Sequence, residues 1–277
     1  MIERFVVAYD GSEQAGSAFE VALRMARATG RPLHGRRVIE PSAPVIGPSD
    51  PIGVLDPAPA PAVVVSAEEM REEHERAERE GAAALARLGA ACAKEGVAYS
   101  SSMHDGPLVE TLVDVASATD VLVVGKKGRF ARGGVGSGTR ALIRQAPCAV
   151  LVVSGAWEPS RTVVVAFDGT TESKRALSAA REIARGAGWG LTVIASSKEK
   201  NAEETRAWAS GFAPEAERVE VVENGKRVET AAMERAGGAG ALVAMGAYHE
   251  SFVHDLLLGS PAGGAVERAS EPVLLAH

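Results

Sequence analysis

Twice in 277 residues this chain makes the same two moves. An apolar run ends in Asp-Gly and a hydroxyl residue before a helical stripe begins: Phe5 to Tyr9 leads to Asp10-Gly11-Ser12, and Thr162 to Phe167 leads to Asp168-Gly169-Thr170. Later in each half a second apolar run empties into a glycine loop. One passes from Val124-Gly125 through Gly128 to Gly136-Ser137, the other from Met245-Gly246 to Gly259-Ser260. A strand that leads through such a loop into a helix N terminus suits phosphate, because unpaired N–H groups and the positive end of the helix dipole meet there. Two copies point to a duplicated nucleotide-binding domain.

The remaining pattern agrees. Ala15, Ala18, Phe19, Ala22, Leu23 and Ala26 follow helical spacing behind Ser12, a good N-cap, and Ala176, Leu177, Ala180, Ile183, Ala184 and Ala187 do so behind Thr170. Further strands read at Leu33 to Ile39, Val97 to Met103, Val121 to Val124 and Ala149 to Val153. Their counterparts are Leu191 to Ala195, Arg218 to Val222, Ala241 to Met245 and Val273 to Ala276. Strands alternating with helices imply parallel βαβ units. The expectation is an α/β protein of two domains, 1–155 and 160–277, each with a five-stranded parallel sheet.

The first half carries an insertion at about 41–66, where seven of the fourteen prolines disfavour both helix and central strand. It leads into a long helix from about Ser66 to Lys94, whose Glu- and Arg-rich start reads as a solvated face rather than a binding patch. A formal net charge of -6 argues against a general nucleic-acid binder. No apolar run approaches the roughly 18 to 20 residues of a membrane helix, and no signal peptide is visible, so a cytoplasmic location is expected. Cys92 and Cys148, with no Cys-x-x-Cys spacing, read as small buried hydrophobes.

At these glycine loops the chain resembles the universal stress protein family in its tandem form. The family motif is Gly, two residues, Gly, nine residues, then Gly followed by Ser or Thr. Gly125, Gly128 and Gly138-Thr139 satisfy it literally, while the distance back from Ala146-Pro147-Cys148 favours Gly136-Ser137 as the phosphate turn. In the second half His249 replaces the second glycine. The resemblance implies doubly wound, Rossmann-like domains of strand order 3-2-1-4-5. It also implies that Asp10 and the backbone around Ala8 and Val38 hold an adenosine, with Val124, Gly125, Gly128, Gly136 and Ser137 along the ribose and phosphates. A second site would use Asp168, Val193, Gly246, Gly259 and Ser260. The implied ligand is an adenine nucleotide, ATP before ADP or AMP, with Mg accompanying it, and the implied role is regulation in the stress response. By the same resemblance, Ala149 to Val153 and Val273 to Ala276 pair the halves as an intramolecular pseudo-dimer. Further assembly of two chains into a homodimer is compatible with this.

Charge favours the first site: Lys126, Lys127, Arg129 and Arg132 surround its loop, whereas Glu250 and Asp255 sit in the other. No Walker motif, nucleophile elbow or Ser/His/Asp order stands out, and His249 and His254 read as surface histidines rather than metal ligands. A slow ATP hydrolase and a nucleotide-free interaction module are the competing readings.

Overall fold

A computed structural model describes residues 1–40, 67–128, 135–196, 200–222, 227–247 and 270–277. The proline-rich insertion, Arg129, Arg132, His249, Glu250, His254, Asp255, Gly259 and Ser260 lie outside the described residues. Runs of Val, Leu and Ala flanked by Gly and Asp turns form the strands, and the striped segments form the helices between them. In the first half these are β1 (Arg4–Ala8), α1 (Glu13–Thr29), β2 (Leu33–Ile39), α2 (Ala67–Lys94), β3 (Tyr99–Asp105), α3 (Leu108–Val115), β4 (Asp120–Gly125), α4 (Ser137–Gln145) and β5 (Ala149–Val153). The second half gives β6 (Thr162–Phe167), α5 (Thr171–Ala187), β7 (Gly190–Ala195), α6 (Ala202–Phe212), β8 (Arg218–Val221), α7 (Val228–Ala236), β9 (Leu242–Gly246) and β10 (Val273–Ala276).

The ten strands make one sheet in the order β3-β2-β1-β4-β5-β10-β9-β6-β7-β8. Pairing is parallel inside each half, and the halves join where β10 runs antiparallel to β5, with Leu274 opposite Leu151. Side chains alternate between two cores. Residues of α1, α2, α5 and α6 cover one face, and residues of α3, α4 and α7 cover the other. Both cysteines are free and buried, and burial pushes the Cys148 thiol up to about 11.

β3 begins two residues later than the apolar run suggests. Gly96 adopts φ 69° and Val97 donates its N–H to Cys92 O at 2.9 Å, so Val97 closes the end of α2 instead of opening the strand. A second seam joins the halves where α1 packs on α5. Arg31 and the Ile2 N–H both reach the Glu182 carboxylate, at 3.0 and 2.7 Å. Gly186 lets the helices touch, for a Cβ there would lie 2.6 Å from Ala28 O. Gly186→Leu should therefore cost about 1–3 kcal/mol by overpacking, read as a fall of about 3–8 °C in melting temperature. An unchanged melt would show that the two helices part freely.

Candidate functional site

β1 and β4 are neighbours whose following helices, α1 and α4, pack on opposite faces of the sheet. The loops after the two strands diverge and leave a crevice at the carboxyl ends. A cavity of about 810 Å³ fills it, and all ten first-half residues singled out above line it. That volume falls within the roughly 300–1,000 Å³ of small-molecule sites.

The start of α4 forms part of this lining. Gly136 is the N-cap at φ -60° and ψ 150°, with no side-chain cap bond, whereas the Ser12 hydroxyl caps α1 and the Thr170 hydroxyl caps α5. The first-turn N–H groups of α4 thus open onto the cavity with no cap side chain across them. The described ends of the loop before them are pinned. Lys126 N–H donates to Val153 O at 2.7 Å, Gly136 N–H to Lys126 O at 2.8 Å, and Lys127 N–H to the Gln14 carboxamide at 2.6 Å. Ser137 is exposed on the open side, while Thr139 is buried and donates its hydroxyl to Gly125 O at 3.0 Å. Of the two hydroxyl residues, Thr139 is tied into the fold and Ser137 is the one left to the cavity.

None of Gly125, Gly128, Gly136 and Gly138 has positive φ. Gly125 allows a close approach: a Cβ would lie 3.1 Å from the main-chain carbon of Gln14, where the first turn of α1 presses on the strand end. At Gly128 a Cβ would sit 3.4 Å from Asp10 Oδ2, which measures how closely the two loops meet. Asp10 also accepts the Ser12 N–H at 2.9 Å, fixing its own turn.

The cavity charge is mixed rather than simply basic: Arg36, Arg37 and Lys127 line it with Asp10, Glu40 and Glu73. One wall was missed entirely. Met70, Glu73, His74 and Ala77 of α2 line the cavity, although that charged stretch reads as a solvated face. Their i, i+3, i+4, i+7 spacing was the available signal, with Met70 and Ala77 the two apolar positions in an otherwise charged run.

In the second half, among the described residues, the matching crevice shrinks to about 20 Å³, room for about one water. Asp168 and Gly246 come together there, but Val193 does not join them. It is fully buried in the core on the other face. Ala8 pairs with Arg36 and Ala166 with Ile194, so the residue in register with Val38 is Ser196. Three carboxylates border the crevice, those of Asp168, Glu172 and Glu229. Glu172 stands where the first half has Gln14, and Glu229 where it has Val109. Trp208 of α6 packs over Gly169 so closely that a Cβ could not be added.

The sequence model of the universal stress protein family matches residues 1–51 and 47–154. Among solved structures, a universal stress protein from Archaeoglobus fulgidus DSM 4304 is similar at 17% identity with a TM-score of 0.72, over 99% of this chain and 95% of that one. A functionally unknown protein from Pseudomonas aeruginosa PAO1 follows at 16% identity and 0.64, over 99% and 92%. A putative universal stress protein from Pseudomonas aeruginosa UCBPP-PA14 gives 16% and 0.60, over 99% and 93%. At such identities the likeness is one of fold. No curated protein matches this chain. The family match spans the half that holds the cavity, and more than half of the whole sequence; the chain belongs to the universal stress protein family.

Proposed function

We propose that the first-half cavity binds a purine nucleotide and that the second half offers no matching cavity among its described residues. ATP is the ligand that the family resemblance implies, with ADP and AMP as alternatives, and the role is regulatory, in the stress response. One observation carries the reading: an uncapped helix N terminus opens onto a cavity of about 810 Å³ at the switch point of the sheet. Phosphate oxygens there accept charge-assisted bonds from the first turn of α4 and from the Ser137 hydroxyl. The helix dipole adds about 0.3–1 kcal/mol. The base then lies toward Val38 on β2. Mg would be held chiefly by the phosphates, and Asp10, whose Oδ2 lies 3.4 Å from where a Gly128 Cβ would stand, would supply a carboxylate beside the glycine loop. We take residues 1–155 and 160–277 as the two domains, only the first of them loaded.

The second-half crevice is both too small and acidic. Two like charges about 8 Å apart in water repel by about 0.5 kcal/mol, so three carboxylates oppose a polyanion by more than tenfold per ligand charge before screening.

Denaturing the purified protein and assaying the released small molecules for nucleotide tests the reading directly. At most one equivalent per chain is expected, and MgATP at a hundred times its Kd should stabilise the fold by about 2.7 kcal/mol. An empty protein whose melting temperature no nucleotide shifts would leave the interaction module standing. Sustained phosphate release from MgATP, lost in Gly136→Asp, would favour the hydrolase.

A further inference from the structure

Arg36 is a buried cation in the cavity wall. It lies on β2, two residues before Val38 on the same face of the sheet, and lines the cavity while only 5% exposed. Among the described residues its hydrogen-bond partners are neutral: Nη1 donates to the Ser102 hydroxyl at 3.0 Å and Nη2 to Thr111 O at 3.4 Å. Nε is enclosed and has no hydrogen-bond partner. Among the described residues no carboxylate forms a salt bridge with it, in contrast to Arg4, which pairs with Asp120 at 2.6 Å. Burial alone lowers the Arg36 pKa, with no compensating anion among the causes. A guanidinium in that position is destabilising unless something supplies the missing acceptor.

The fold does not demand this residue. Register places Ile194 of the second half where the first half has Arg36, and Ile194 is 2% exposed in the same apolar layer. The half without a roomy cavity has the hydrophobe, and the half with the cavity has the cation.

We propose that Arg36 reads the base of the bound nucleotide and makes the site rank 6-oxopurine nucleotides above adenine nucleotides. The proposal rests on the nucleotide reading, with the base at the Val38 end. A guanidinium is all donor, and its planar fork matches two neighbouring acceptors. Guanine and hypoxanthine present O6 and N7 side by side, the pairing that Arg makes most often with a purine edge. Adenine presents N7 beside an amino group, whose N–H bonds point at the cation rather than accept from it. ATP still binds through its phosphates, ribose and N7.

Calorimetric titration of the full chain with MgATP, MgGTP and MgITP tests this. GTP and ITP should bind about tenfold more tightly than ATP. ITP lacks the 2-amino group, so its agreement with GTP assigns the preference to the O6 edge. Arg36→Ile, the residue of the other half, should bring the three within about twofold of one another. It should also hold or raise the melting temperature, because an unpaired buried charge has gone; a purely structural Arg36 would instead lower the melt and leave the ranking alone. Wild-type protein that binds ATP as tightly as GTP and ITP overturns the proposal while the nucleotide site stands, and that ranking decides the matter even if the variant fails to fold. Wild-type protein that binds none of the three overturns the nucleotide reading itself.

Discussion

Gly136→Asp should keep the fold and lose the nucleotide. The N-cap backbone, at φ -60° and ψ 150°, suits any L residue, and an added Cβ meets nothing closer than Gly128 N at 3.5 Å. Asp is among the best N-caps, a few tenths of a kcal/mol better than Gly, and its charge sits well at the positive end of a helix. The melting temperature should therefore hold or rise slightly. The same carboxylate takes up the first-turn N–H groups and places a negative charge where phosphate would lie. At about 4 Å and an effective dielectric of about 20, one such pair of like charges costs about 4 kcal/mol. MgATP and MgGTP affinity should fall at least about a hundredfold by calorimetry. Gly136→Ala, which adds bulk without charge, should lose less than about tenfold. Stable Gly136→Asp protein with wild-type affinity would mean that the phosphates lie elsewhere.

The pairing of a fold-neutral residue with a large functional effect also marks what the sequence could reveal. Local signals were strong. The bounds of β2, β5, β6 and β10 coincide with the apolar runs, and Ser12 and Thr170 cap the helices that follow the Asp-Gly turns. All ten first-half residues singled out in the sequence share one cavity. Parallel strands bring together their carboxyl ends, where Ala8, Val38, Val124 and Gly125 lie, and the Asp10 turn, Gly128 and the start of α4 at Gly136 to Thr139 follow from those ends. What stayed hidden depends on partners far apart in the chain. The part of Gly125 in helix packing appears only when Gln14 is beside it. Val193 was misplaced because a strand's two faces alternate every residue, so only the register with β6 separates it from Ser196. The acids at the second crevice, Glu172 and Glu229, come from two helices on opposite faces, whereas Glu250 and Asp255, the acids legible in the second glycine loop, lie outside the described residues. Arg36 carries no signal in the sequence, because one arginine in a strand is ordinary until its burial and its neutral partners are known.

Leu151→Ala should destabilise both halves together, by about 3 kcal/mol, typical of a buried Leu→Ala change. Leu151 is fully buried at the centre of β5 and faces Leu274 across the antiparallel seam. The core it belongs to runs without a break from Phe5 and Phe19 to Ile183 and Leu242. The α1 and α5 helices add a second tie through Arg31 and Glu182. Fluorescence offers a clean readout, since all three tryptophans, Trp157, Trp189 and Trp208, follow β5 in the chain. With a urea m-value of about 3 kcal/mol/M, the midpoint should fall by about 1 M. Because one core spans the seam, the tryptophan and far-UV circular dichroism transitions should coincide in the wild type and move together in the variant. A tryptophan transition that stays in place while the dichroism transition splits would mean that the halves fold separately. The hydrogen bonds between β5 and β10 would then be an interface between two cores, and the loaded half could be made without its partner.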